Sequence, residues 1–431
     1  MASLLIRQGR VFDPSQNLDE VTSILIEDGK IAGIAKNLKD ARADQVYEAK
    51  GRLVTPGLVD IHTHLREPGR EDAETIYTGT RAAAAGGVTT LIPMPNTSPV
   101  IDSQSGVNHI RQIALRDGAV HVHPIAAVTV GQKGEAIVEF GDLVTHGAVA
   151  FSDDGHPIMN AEIMRRALQY VSMFGAPILA HEEDLNLSSE GCIHEGHVAT
   201  LTGLKGVPSC AEAIQIARDI ELADFTHGKL HVQHVSSLYS ANLVRGGKAR
   251  GVDVTAEVTP HHLTLTEEAC LHFDTNAKMN PPLRAEADRK ALVAALNDGT
   301  IDIIASDHAP HTVIDKELPF TEAPSGVIGM ETAFPAIYTR LVETGQTALK
   351  IVIRAMTEAP AKRLRIPGGT LAAGAVADVA VFDLETERVV DPAKFFSKSR
   401  NCPFRGMKFK GWAVATVVKG EMVYRDGEML V

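Results

Sequence analysis

Eight short apolar runs, spaced through about three hundred residues and separated by helix-like stretches, constrain this chain more than any other feature. They are Leu58 to His62, Val88 to Pro93, Val122 to Val128, Ala148 to Phe151, Pro177 to His181, Leu230 to Val235, Val252 to Thr259 and Ile301 to Asp307. Between them, Ala161 to Phe174 and Ala211 to Ala223 carry apolar residues at helical spacing, and Thr80 to Ala85 stops at the helix-ending pair Gly86-Gly87. Eight strand–helix units favour an α/β (β/α)8 barrel over an open doubly wound sheet. No internal sequence repeat is visible, so the count carries this reading.

The two ends differ from the middle and resemble each other. Leu4 to Arg7, Ser23 to Ile26 and Lys30 to Ile34 alternate with turns such as Asp28-Gly29, and Asp378 to Phe382 and Val414 to Val418 do the same with Lys419-Gly420 and Asp426-Gly427. Either end alone would expose sheet edges, so both are expected to build one small β-sandwich. The resulting division is 1–55 and 365–431 for that sandwich and 56–364 for the barrel.

The 431 residues suffice for a large domain plus a small one, and a net charge of −12 argues against nucleic acid or an anionic membrane as partner. No secretory leader and no transmembrane stretch of ~20 apolar residues stands out, which points to the cytoplasm. Cys192, Cys210, Cys270 and Cys402 are scattered without a C-x-x-C, as expected of reduced thiols rather than a disulfide frame or a thiolate metal site.

Polar residues collect where the apolar runs end. His62 and His64 close the first, Asn96 follows the second, Asp153 and Asp154 the fourth, His181 closes the fifth, His234 lies in the sixth, and Asp307 closes the eighth. Barrel enzymes gather reactive groups at the C-terminal ends of their strands, so these residues are expected to converge on one mouth. Alternate strand residues share a face, which lets His62 and His64 bind one cation. His121-Val122-His123 has the same spacing at a strand's start and is expected to be structural, as is His231, of opposite facing to His234 and either structural or exposed. Of Asp153 and Asp154, one is suited to bridge two ions and the other to bind the loop. Four histidines and two carboxylates without thiolate suit zinc, with manganese, cobalt or iron as substitutes. Asp307 is placed to orient a water at such a centre and accept its proton.

Pro56 to His64 resembles the first metal motif of the amidohydrolase superfamily. His64-Leu65-Arg66-Glu67-Pro68-Gly69, Met94-Pro95-Asn96-Thr97, Asp153-Asp154-Gly155, Met279 to Arg284 and Ser306 to His311 resemble the bacterial type I dihydroorotases. The resemblance spans nearly the whole chain. It implies one ion on His62, His64 and Asp307 and another on His181 and His234, with Asp154 reaching both: one or two zinc ions per subunit. Many relatives, hydantoinases and allantoinases among them, place a carbamylated lysine at the bridge, and no lysine occurs between Ala148 and Met159. The implied reaction is reversible hydrolysis of L-dihydroorotate to N-carbamoyl-L-aspartate, the third step of pyrimidine synthesis, with Asp307 moving the proton. Arg66, Asn96, Asn280 and His311 would hold the substrate carboxylate. The resemblance also implies a homodimer and leaves open a complex with aspartate transcarbamoylase. Competing readings are another cyclic amidase, against which the missing lysine and Arg66 count, and a non-catalytic scaffold, against which the full ligand set counts. Thr312 to Gly326 is read equally as a mobile cover over the site or a plain surface loop.

Overall fold

A computed structural model describes residues 3–431, the side chain of Lys39 aside; Met1 and Ala2 lie outside the described residues. Eight parallel segments close into a ring. Leu58–Thr63 pairs with Val88–Pro93, which pairs with His121–Val122. Single bridges continue the ring through Ala126, Phe151 and Ile178. From there Ile178–Ala180, Leu230–Val232, Val254–Val258 and Ile303–Ile304 follow in order, and a bridge between His308 and Thr63 closes the circle. The (β/α)8 expectation therefore holds, although the third and fourth segments contribute little regular ladder. All six residues of each of the first two strands are buried, as parallel strands covered on both faces must be.

The alternation of side chains divides the core in two. Leu58, Leu91, Ile178, Leu230, Val254 and Ile304 face the helical layer. Val59, Ile61, Ile92, Leu179, Ile303 and Ala305 fill the barrel's interior, with Ala361 and Leu364 packed against them. His62 and His64 have the opposite parity to Val59 and Ile61. The ladder's register shifts between Asp60 and Thr63, and an irregularity of this kind re-aims side chains.

The helices start and stop on local signals. Ile76–Ala85 opens with a Thr75–Thr78 capping box and gives way to Gly86 and to Gly87 at φ 82°, while Ala161–Ser172 is capped by Asn160. The third expected helix runs Cys210–Thr226 and ends at His227 in the left-handed region.

Both ends of the chain enter one nine-stranded sheet. Leu53–Pro56 pairs antiparallel with Val379–Asp383, joining the N-terminal strands to the C-terminal ones. A bridge from Lys30 to Val376 brings the far edge back, and Ile24, Ile26, Val381 and Val417 share one separate core. Among the described residues no helix is long and apolar enough to cross a membrane.

Candidate metal centre and substrate cavity

The residues that end the barrel strands meet at its mouth. His62 Nε2 lies 3.3 Å from Asp154 Oδ1 and 3.5 Å from Asp307 Oδ1, and His64 Nε2 lies 3.4 Å from Asp154 Oδ2 and 3.2 Å from Asp307 Oδ1. On the other side, His181 Nδ1 and His234 Nε2 are 2.9 Å apart, each 3.7 Å from Asp154 Oδ1. Two sets able to hold a cation result, His62–His64–Asp154 and Asp154–His181–His234, sharing one carboxylate. All are buried.

Asp153 points elsewhere. Its carboxylate accepts from the backbone of Val128 at 2.7 Å and of Thr129 at 3.1 Å, and from the Thr129 hydroxyl. The adjacent aspartates therefore divide the two jobs, one tying the loop and one entering the site.

Three of the histidines are backed by an acceptor on the nitrogen that faces away from the site. Glu257 Oε1 is 2.5 Å from His62 Nδ1, Asn96 Oδ1 is 3.0 Å from His64 Nδ1, and Glu183 Oε2 is 2.9 Å from His181 Nε2. Such an acceptor fixes the tautomer and leaves the other nitrogen's lone pair free, the usual support of a metal-binding imidazole. Glu257 and Glu183 were not among the residues singled out in the sequence. Glu257 follows the inward parity of its strand, and Glu183 lies two residues past His181, so only the closed ring identifies their partners. His231 is fully buried rather than exposed; its Nε2 lies 3.0 Å from Glu257 Oε2 and its Nδ1 2.8 Å from Thr255 Oγ1. His121 lies at the opposite end of its strand and pairs with Asp378 at 3.0 Å.

The electrostatics call for positive charge. Burial disfavours the charged form of His62, yet Glu257, Asp154 and Asp307 hold it well above the ordinary histidine range. Burial likewise opposes ionisation of Asp154, yet His62, His181 and His234 hold it well below the usual carboxylate range. Asp154 Oδ1 is nonetheless buried without a hydrogen bond. An orphaned carboxylate oxygen at the shared corner of two histidine sets fits one or two divalent cations, since a buried anion needs a counter-charge. His234 at φ 31° and Asp307 at φ 46° both leave their strands in the left-handed region, as does Arg66 at φ 59° just beyond the first strand. Backbone strain of this kind is tolerated where surrounding structure fixes a functional geometry.

A cavity of about 240 Å³ opens above these groups. Arg66, Asn96, Asn280 and His311 all line it. Arg66 donates through Nε to Pro310 O at 3.0 Å and forms no ion pair among the described residues. The acidic residues nearest to it in sequence are engaged elsewhere: Glu67 accepts from the backbone of Ile76 and Glu71 from that of Gly69. Burial lowers the Arg66 pKa to about 10, still a cation at neutral pH, and burial with Arg66 nearby lowers His311 to about 3, so His311 is neutral. The Asn96 amide also reaches Asp154, donating to its backbone oxygen at 3.2 Å, and Asn280 donates to Glu183 at 2.8 Å.

The segment 312–326 contributes Ser325 and Gly326 to the wall. It is stitched from beneath. Lys316 Nζ donates to Pro324 O and Gly326 O at 2.9 and 3.0 Å, and Lys278 Nζ donates to Phe320 O and Ala323 O at 2.7 and 2.6 Å.

A closed α/β barrel with two carboxylate-linked histidine sets at its mouth and a β domain built from both chain ends defines a metal-dependent amidohydrolase. Residues 51–240 match the dihydro-orotase-like family model and residues 211–424 the amidohydrolase family model. A relative named dihydroorotase from Pelotomaculum thermopropionicum is 52% identical, covering 98% of this chain and 99% of its own length. Another from Geobacter metallireducens is 48% identical over 98% of this chain and 100% of its own. The chain belongs to the dihydroorotase family. Among solved structures, L-hydantoinase (dihydropyrimidinase) from Arthrobacter aurescens superposes with a TM-score of 0.90 at 27% identity, covering 100% of this chain and 98% of that one. A D-hydantoinase (dihydropyrimidinase) from Thermus sp. gives 0.84 at 26% identity, covering 99% and 96%.

Proposed function

We propose that this chain is a dihydroorotase, catalysing the reversible hydrolysis of L-dihydroorotate to N-carbamoyl-L-aspartate and closing the ring in the biosynthetic direction. The observation that carries the reading is Arg66: a guanidinium without a carboxylate partner among the described residues, anchored to Pro310 O and facing the same cavity as the two histidine sets. A cyclic amide bearing a ring carboxylate satisfies both halves of that cavity, the fork of Arg66 gripping the carboxylate. Hydantoin and allantoin lack that carboxylate. The hydantoinase names among the structural neighbours favour them, but no lysine stands between Ala148 and Met159 in this chain, and Asp154 occupies the bridging corner.

In this reading His62, His64 and Asp307 serve one ion and His181 and His234 another, with Asp154 shared; zinc is the ion their imidazole and carboxylate donors suit. Ions there supply a Lewis acid and lower the pKa of water. Asp307 carries the proton. Burial alone would raise its pKa, but His62 and His64 hold it below the usual range, so it remains a carboxylate able to accept a proton from the attacking water and return it to the leaving ring nitrogen. Asn96 and Asn280 add hydrogen bonds to the carboxylate held by Arg66, and neutral His311, its one proton turned to Ser325 O, shapes the wall beside it.

The reading extends to a cytoplasmic homodimer, one or two zinc ions per subunit, with aspartate transcarbamoylase as a candidate partner; the four unpaired cysteines suit a reducing compartment. It takes 56–364 as the catalytic domain and 1–55 with 365–431 as the other. Turnover of L-dihydroorotate and N-carbamoyl-L-aspartate, set beside hydantoin and allantoin, tests it. The first pair should be used and the second pair ignored; the reverse preference would replace this reading with that of a hydantoinase-like amidase.

A further inference from the structure

The cavity's carboxylate-facing wall is held by a residue that does not line it. Asn401 lies in the C-terminal segment, 90 residues beyond His311, and is 2% exposed. Its Nδ2 donates to Ala309 O at 3.0 Å and to Gly326 O at 3.0 Å, and its Oδ1 accepts from the backbone of His311 at 3.2 Å. The amide's orientation is dictated by its partners, because two carbonyl oxygens only accept and a backbone N–H only donates. The Asn401 carbonyl accepts in turn from Ile328 N at 2.9 Å. Ala309, His311 and Gly326 all line the cavity, so three points of one wall converge on a single side chain.

That wall has little slack. Gly326 sits at φ 135°, and a Cβ there would come within 2.9 Å of both His311 Nε2 and Ala309 Cβ. His311 Nε2 lies 2.8 Å from Ser325 O, which ties the imidazole to the residue before that glycine. A shift of the Ser325–Gly326 backbone therefore moves His311, and Asn401 is the group that spans both.

We propose that Asn401 is a positioning residue for the carboxylate-binding wall, acting on substrate through His311 and Gly326 without touching it. The inference rests on the dihydroorotase reading. It places a determinant of substrate affinity in the C-terminal segment, far in sequence from the barrel motifs, and separates it from the metal centre.

Steady-state kinetics with L-dihydroorotate test it, on the full-length metal-loaded enzyme. Asn401→Asp keeps the volume but loses both donors, and Asn401→Ala loses every side-chain contact. Each should raise KM roughly tenfold or more while kcat stays within about threefold and bound metal is unchanged. Asn401→Ala combined with His311→Ala should raise KM by less than the product of the two single effects, because part of what Asn401 does is to place the His311 imidazole through the His311 backbone. Gly326→Ala, which disturbs the same wall while leaving the Asn401 side chain in place, should raise KM as well. Unchanged KM in Asn401→Asp or in Gly326→Ala, a fall in kcat at constant KM, or multiplying effects in the double variant would overturn the proposal. A wild-type enzyme that does not turn over L-dihydroorotate would instead overturn the functional reading on which it stands.

Discussion

Glu257 Oε1 lies 2.5 Å from His62 Nδ1, while the other oxygen of the same carboxylate lies 3.0 Å from His231 Nε2. One buried carboxylate inside the barrel thus sets the tautomer of His62 and is itself set by His231 and by the backbone of His234, which donates to it at 3.3 Å. Glu257→Gln should weaken metal retention by about 10- to 100-fold, the usual cost of losing a carboxylate behind a metal-binding histidine. Competition with a coloured chelator measures it; retention equal to wild type would show that His62 needs no such support.

Asp153 and Asp154 should separate cleanly. Asp154→Asn should lower bound metal at both histidine sets. Asp153→Ala should leave metal content unchanged and cost roughly 2–4 kcal/mol of stability through the donors stranded on Val128 and Thr129. Metal analysis and urea unfolding of the two variants side by side decide the matter. Loss of metal in the Asp153 variant would contradict the division of roles drawn between them.

These two aspartates mark the limit of what was legible in the sequence. That a carboxylate pair ended the fourth segment was visible because Phe151 closes an apolar run; the pattern alone left open which one entered the site, the family resemblance named Asp154, and the physical reason lies in Thr129, whose hydroxyl and amide claim Asp153. His62, His64, His181, His234 and Asp307 were legible for the same reason, each being polar where burial-driven alternation stops. Glu257 and His231 were not, because a polar residue on an inward strand position finds its partner only when the ring closes. Asn401 carried no local signal at all, since its three contacts lie on segments 75 to 92 residues away. The fourth strand is reduced to isolated bridges from Phe151 to Ala126 and Ile178.

Arg66 should govern affinity for the anionic half of the substrate. Arg66→Ala is expected to raise KM for N-carbamoyl-L-aspartate roughly 10- to 100-fold, the worth of a charge-assisted bidentate contact, and Arg66→Lys to recover only part of it. An unchanged KM in the alanine variant would remove Arg66 from the carboxylate site.

Lys316 makes stability depend on pH. Burial, with Lys278 close by, lowers its pKa to about 7 from 10.5, so the folded chain favours the neutral amine. Between those two values the unfolded chain binds more protons, and stability therefore rises with pH across that window, the penalty of Lys316 being fully present below it. Lys316→Met should remove this contribution. Urea midpoints at pH 7 and pH 9 should show wild type gaining more, or losing less, than the variant; parallel behaviour would mean that Lys316 titrates as an exposed lysine does.

The most direct test of the account is ring closure of N-carbamoyl-L-aspartate by wild type and Asp307→Ala, each chelated and then reloaded with zinc. Wild type should lose turnover on chelation and regain it on reloading. Asp307→Ala should stay folded and remain inactive after reloading, a loss of at least about 10³-fold. Turnover that survives metal removal, or an Asp307→Ala enzyme that closes the ring at the wild-type rate, would contradict the account at its centre.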